Sequence, residues 1–384
     1  MKKRNVMAAA WMALTVAITG CSSGVKAVDK SEPANEPTTW AAKADAAQKA
    51  LADLYWNPKR QMFDNQTPCP FDSCNQTFNY WWQAHAVDTL VDGYVRTGDG
   101  AYKQRLHDLY TGLVNRNGGA LPNEFYDDME WMALAWLRAY DATGDETYKG
   151  AVNTLWADIQ TGWNDEMGGG IAWRKSQLNY KNAPANGPAA ILAARLYEHF
   201  KNTADLQWAT KIYAWEKSNL IDPKSGFVWD GMNRQGDGAV DSTWAFTYNQ
   251  GTFIGAGVAL YQVTGDKAYL ADAARNWQAA KERLVNPVTG NLPDEGDGDG
   301  GLFKGILVRY MGQLILADPS QTDALKVLQD SARGLWQSAR AKDKVIFNQN
   351  WAQRPDVAVK LSVNLSGIML LEQMALLEKN GLLK

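Results

Sequence analysis

Cysteine and histidine are scarce, with three of each in 384 residues. One close cysteine pair, Cys69 and Cys74, is followed by no second pair and no His-x3-His, which leaves a zinc site as the lesser alternative to a local disulfide. Positive charge is also short: 39 Lys and Arg face 42 Asp and Glu, a net of −3, and this excludes a basic nucleic-acid-binding surface. Past the first twenty residues no stretch reaches the roughly 20 uninterrupted apolar residues of a membrane helix. No motif asks for a cofactor or metal, and the chain is expected to act as a monomer.

The first twenty residues combine a basic start (Lys2, Lys3, Arg4) with an apolar stretch from Val6 to Ile18, and then Thr19-Gly20-Cys21. This pattern is an export signal rather than part of the fold. Its end resembles a bacterial lipoprotein signal, which implies cleavage before Cys21 and lipid on that cysteine. The expectation is a protein held at the cell envelope by lipid alone, on a periplasmic or surface face. Residues 21–39, rich in Ser, Pro, Lys and Glu, then read as a tether. Export in turn favours the Cys69–Cys74 disulfide.

From residue 40 to 384 the chain repeats itself. Tyr94-Val-Arg-Thr-Gly-Asp-Gly-Ala-Tyr102 returns as Tyr140-Asp-Ala-Thr-Gly-Asp-Glu-Thr-Tyr148 and as Tyr261-Gln-Val-Thr-Gly-Asp-Lys-Ala-Tyr269. The gap before the last is long enough for another copy, and Tyr197-Glu-His-Phe-Lys-Asn-Thr203 fits it. In each, Gly can end one helix in the left-handed conformation while Asp caps the next. Twelve helices follow, at about 40–56, 79–96, 101–115, 127–140, 146–162, 186–200, 204–219, 249–264, 267–284, 302–317, 321–339 and 362–379. The even-numbered helices are rich in small and apolar residues and the odd ones carry a charged face, so the even helices are inner. Long connections follow each outer helix (57–78, 116–126, 163–185, 220–248, 285–301, 340–361) and must emerge at one end. A closed (α/α)6 toroid satisfies this pattern, whereas an open solenoid needs no one-sided set of long loops.

The adjacent carboxylates Asp127 and Asp128 stand at that end, at the mouth of an otherwise apolar helix. Neighbouring carboxyl groups turned into one cleft can sit roughly 5 Å apart, the spacing of a retaining glycosidase. The plainer explanation, two acids complementing a helix dipole, does not account for the apolar helix or the ring of loops around it. Glu130, one turn on, is the local rival. Glu124 in the preceding loop is a ligand-contact candidate.

Seventeen tryptophans are many for a chain this size, and Trp163, Trp173, Trp229, Trp244 and Trp351 lie in the long loops with flat faces suited to sugar. Trp131 and Trp136, inside an inner helix, read as core. Polar groups at the starts of inner helices suit hydroxyl recognition: Trp82 and Gln83, Asn182 and Asn186, Tyr248, Asn249 and Gln250, and Lys304. His85 reads as a core histidine. The acidic glycine run 294–301 reads as a flexible substrate loop, with calcium as the alternative; the place of an EF-hand's bidentate Glu falls on Ile306.

Tyr80-Trp-Trp-Gln-Ala-His-Ala-Val-Asp88, Tyr126-Asp-Asp-Met-Glu-Trp131, Lys181-Asn-Ala-Pro-Ala-Asn-Gly-Pro188, Tyr248-Asn-Gln-Gly-Thr252 and Gly301-Leu-Phe-Lys-Gly305 together resemble glycoside hydrolase family 76, the bacterial and fungal endo-α-1,6-mannanases. The resemblance runs from about residue 40 to the end. It implies an all-α (α/α)6 fold, retaining cleavage of α-1,6-mannan, Asp127 as nucleophile and Asp128 as general acid/base. Tyr126 belongs to its most specific motif and is carried over as a substrate contact. A weakly acidic pH optimum follows. Two rival readings are another (α/α)6 carbohydrate enzyme, such as an uronic-acid hydrolase or lyase, which would want more basic loops, and a non-catalytic glycan-binding lipoprotein, which would not need the paired acids.

Overall fold

The computed structural model describes residues 36–383. The export signal, Cys21 and the tether up to residue 35 lie outside the described residues. Among the described residues twelve α-helices form: α1 (Trp40–Tyr55), α2 (Tyr80–Thr97), α3 (Gly100–Arg116), α4 (Tyr126–Thr143), α5 (Glu146–Gln160), α6 (Gly187–Phe200), α7 (Thr203–Asn219), α8 (Thr247–Thr264), α9 (Lys267–Leu284), α10 (Gly300–Ala317), α11 (Thr322–Gln337) and α12 (Leu361–Lys379). Each boundary falls within three residues of its expectation, because the turn chemistry is local.

In the repeated turn Gly98, Gly144 and Gly265 all adopt φ near +70°, a conformation that costs other residues a Cβ clash. The following Asp99, Asp145 and Asp266 accept from the backbone N–H two residues on and cap the next helix. The preceding Thr97, Thr143 and Thr264 each donate back into their own helix and accept from the Asp N–H, which locks the corner. The fourth copy keeps the geometry without glycine. Lys201 takes φ +56° and Asn202 caps α7.

The even helices contact one another in the order α2, α4, α6, α8, α10, α12 and back to α2, closing an inner ring. α3, α5, α7, α9 and α11 each pack on the inner helix before them, and α1 packs on α12. The sixth hairpin is therefore made from the first and last of these helices. Glu378 in the last turn of α12 accepts from the N–H groups of Trp40 and Ala41, so an orphan end of α1 is capped from across the sequence.

Inner helices expose almost nothing. α8 and α12 are buried nearly all round from Thr247 to Leu260 and from Leu361 to Leu377. The ring is tight enough that a Cβ on Gly251 would stand 2.8 Å from the Leu307 backbone of α10.

All inner helices point their N-termini toward the long loops. These loops carry short strands that the helical reading did not anticipate, notably an antiparallel three-stranded sheet of Ala172–Arg174, Gln177–Asn182 and Gly231–Met232. The Cys69–Cys74 disulfide staples the first loop, where the Asp72 carboxylate is held by Arg60 and Asn75.

Candidate active site

An open cleft of about 340 Å³ lies over the N-terminal ends of the inner helices. Its floor and walls come from α2 (Tyr80, Trp81), α4 and the residue before it (Phe125, Asp127, Asp128, Trp131), the loop between α5 and α6 (Trp173), α8 (Tyr248) and α10 with its approach (Asp299, Phe303). Aromatic faces surround three carboxylates, with Tyr248 stacked parallel on Phe303 at 3.9 Å.

Asp127 and Asp128 are the second and third residues of α4, directly after its N-cap position at Phe125 and first helical residue Tyr126. They differ in what holds them. Asp127 accepts from the Asp128 backbone N–H at 2.9 Å and from the Trp173 indole N–H at 3.1 Å, two donors that favour its charged form. Asp128 meets only a long contact from the Asn123 amide, 3.4 Å. Burial pushes Asp127 up to about 7 against the pull of those donors. It pushes Asp128 well above the carboxylate range, with the nearby charges of Asp127 and Asp299 adding to the effect. Among the described residues no Lys or Arg lines the cleft. The pair therefore releases its first proton from Asp127 and keeps the second on Asp128, the asymmetry that acid-base chemistry uses.

The profile of glycosyl hydrolase family 76 matches residues 39–383. The chain belongs to that family. A solved family 76 structure, the α-1,6-mannanase GH76A of Salegentibacter sp. HEL1_6, shares 41% identity over 88% of this chain and all of the other, with a TM-score of 0.84. It is an inactive variant in which two adjacent aspartates are replaced by alanine, in complex with α-1,6-mannotetrose. The Lin0763 protein of Listeria innocua is similar at 40% identity over 89% of this chain and 99% of the other, TM-score 0.84. Among curated relatives, the mannan endo-1,6-alpha-mannosidase DCW1 of Saccharomyces cerevisiae is 23% identical over 61% of this chain. The chain spans about 57% of the length of that relative.

The fold of this family 76 chain is thus the (α/α)6 toroid. The expected contacts divide sharply. Tyr248 and Trp173 line the cleft. Gln83, Gln250 and Asn186 do not, and the expectation that they read hydroxyls is corrected: each buried amide grips the backbone of a loop. Gln83 brackets Phe63, Gln250 brackets Val228 and Asn186 brackets Ile171, through both N–H and C=O. Lys304 likewise donates to the Pro293 and Gln349 carbonyls, with its ammonium over the Trp351 ring. Asn182 is buried and its carbonyl accepts from Asn186. Asn249 donates to Asp230 behind the cleft wall, and Tyr126 is buried with its hydroxyl beside Thr161. Glu124 is exposed and accepts from the Ser176 N–H. Trp82 is buried; its indole donates to Asp299 at 2.8 Å, beside Trp81 at 3.0 Å.

Glu130 is wholly buried between inner helices, pushed well up by burial, and does not line the cleft. His85 sits against Trp131 and Trp81 with its imidazole pushed down to about 3 by burial, a neutral core residue as expected. The 294–301 segment is tied down rather than loose. Glu295 caps α8 through the Thr247 N–H and hydroxyl, Asp299 takes two indole donors, and Ser362 bonds the Gly298 carbonyl. Its carboxylates each face a separate protein partner.

Trp81, Phe125, Trp131, Asp299 and Phe303 line the cleft without having been singled out for it. The signal available was positional: four of the five fall at or within a turn of an inner helix N-terminus, as Asp127 and Asp128 do.

Proposed function

We propose that this chain is an endo-acting α-1,6-mannanase that retains configuration, with Asp127 as nucleophile and Asp128 as general acid/base. The observation that carries this reading is the unequal environment of two adjacent, uncompensated carboxyl groups in an aromatic cleft. Family membership and the mannotetrose complex of the Salegentibacter relative support the substrate.

In the first step the Asp127 carboxylate attacks the anomeric carbon and forms an ester. The glycosidic C–O bond breaks, and the Asp128 proton goes to the leaving oxygen. In the second, the Asp128 carboxylate takes a proton from water, whose oxygen attacks the same carbon and frees Asp127. Two inversions leave the α configuration. Activity requires Asp127 charged and Asp128 protonated. The acid limb of kcat/KM therefore belongs near 7, where Asp127 ionises, which moves the expected optimum up from weakly acidic to neutral or above.

Proton NMR of the first products from linear α-1,6-mannan tests the proposal. Internal cleavage with α anomers appearing first is the expected result. β anomers first would overturn retention, and no cleavage by the folded full chain would leave a glycan-binding protein.

We also propose that the chain is exported and anchored through lipid on Cys21. Thr19-Gly20-Cys21 after an apolar run supports the anchor, and the Cys69–Cys74 disulfide supports export. Cys21→Ser should release active protein from the membrane fraction. A wild type found wholly soluble and unlipidated would contradict the anchor alone.

A further inference from the structure

Of the loop tryptophans, most are committed to the protein. Trp351 is buried under Lys304, Trp163 packs on Trp208 beneath the Lys211 ammonium, and Trp229 lies against Phe227 and Arg283. Trp244 is different. It stands in the loop before α8 with 43% of its surface exposed, outside the cleft that holds the acid pair.

An exposed indole on a loop is ordinarily free to rotate, but this one is held. The Arg234 guanidinium lies 3.8 Å from its ring centroid, covering one face, and is itself held in place. Arg234 pairs with Asp241 at 3.0 Å and with Asp230, bonds the Tyr180 hydroxyl, and stacks on the Tyr180 ring at 4.5 Å. The backbone is pinned as well, since the Trp244 N–H donates to the Asp241 carbonyl. Tyr180 in turn meets Trp173, the residue that donates to Asp127. A rigid flat apolar face left in water orders the water around it, and a stacked ligand releases that water. A ligand that stacks there gains contact without paying for side-chain ordering.

The rings between Trp244 and the cleft are continuous. Trp244 meets Phe246 edge-on at 5.8 Å, Phe246 meets Phe303 at 5.2 Å, and Phe303 stacks on Tyr248 in the cleft wall. Two ring-to-ring steps, of 5.8 and 5.2 Å, separate Trp244 from Phe303 in the cleft wall. An α-linked pyranose presents an apolar C–H face that stacks on such rings, and a polymer lying in the cleft would run out along them.

We propose that Trp244 is a distal sugar-stacking platform, a specificity-determining residue through which the enzyme favours long mannan chains over short oligosaccharides. The inference rests on the α-1,6-mannanase reading and extends it beyond the cleft. Arg234 is the positioning residue that presents the indole.

The test compares kcat/KM of the full chain and its Trp244→Ala variant on α-1,6-mannotriose and on linear α-1,6-mannan. The variant should lose about tenfold more on the polymer than on the trisaccharide, through KM rather than kcat. Trp244→Phe, which keeps a flat face, should recover most of that difference. Equal loss on both substrates, or loss on neither, would overturn the platform while leaving the mannanase reading intact. A wild type that cleaves neither substrate would overturn both. A melting temperature for Trp244→Ala close to wild type is also expected, since the side chain is half exposed; a large drop with equal losses would make Trp244 a loop brace instead.

Discussion

Two pairs of aspartates sit on the inner ring, and they are treated in opposite ways. Asp88 and Asp92, deeper along α2, face Arg138 from α4 and Arg309 from α10. Arg138 bonds both acids, and Arg309 grips Asp92 with two nitrogens at 3.0 and 2.6 Å while its Nε lies 2.8 Å from Asp88. These guanidinium charges hold Asp88 well below the usual carboxylate range despite burial. Asp127 and Asp128, at the mouth of α4, have no cationic partner and are pushed upward. Burial alone does not distinguish a working carboxylate from a structural one. Counter-charge and position together do: two acids with two arginines make a neutral clamp across three helices, whereas two acids without one at the open mouth, unlike the enclosed Glu130, hold protons that a ligand can reach.

At the mouth, loss of either carboxyl group should act on turnover. Asp127→Ala and Asp128→Ala should each lower turnover on mannan at least ~1000-fold, with far-ultraviolet circular dichroism unchanged. A variant that keeps a tenth of wild-type turnover would make the pair structural after all.

Deeper in the ring the same kind of change should act on folding instead. Arg309→Met leaves Asp88 and Asp92 short of a buried partner and should cost about 3–5 kcal/mol in urea unfolding, with little effect on kcat in the protein that remains folded. If Arg309→Met is as stable as wild type, the clamp is not what joins α2 to α10.

Trp173 sharpens the distinction within the mouth. Trp173→Phe keeps an aromatic wall but removes the indole donor to Asp127. The expected result is a kcat lowered about tenfold and an acid limb moved upward, because the charged form loses a donor. A reduced kcat with an unmoved limb would assign Trp173 to sugar contact alone.

The smallest effect is a gain in stability. Asp127 and Asp128 have folded pKa values above their unfolded ones, so the native state holds extra protons. Stability is greatest below the unfolded carboxylate range near 4 and declines as pH rises toward 7 and beyond. Asp128→Asn should therefore melt a few degrees above wild type at pH 8, with the gap closing at pH 4. A gap independent of pH would mean that something other than charge is relieved.

The helices and the acid pair were legible in the sequence because both are local. A Thr-Gly-Asp corner carries its own bonds, and Asp127 and Asp128 are neighbours in an apolar run. The cleft walls were less legible because they depend on partners distant in the chain. Trp131 follows core periodicity and reads as core, yet the ring is open above it, so its indole becomes floor. Gln83 and Gln250 occupy the positions that a hydroxyl reader would, and only the loops arriving at Phe63 and Val228 turn them into backbone clamps. The binding of Trp81 and Trp82 by one carboxylate, Asp299, joins residues separated by more than half the chain and leaves no trace in either segment.

The bond from Glu378 to the first two residues of α1 has an architectural consequence. Five corners of the toroid are closed by the chain itself, and the sixth is closed by a carboxylate where the chain is cut. The ring consequently has no privileged starting hairpin. A circularly permuted toroid, residues 40–383 opened at the Gly98 corner with α12 joined to α1 by a short linker, would rebuild the same wheel, and its new termini would emerge on the hub face away from the cleft.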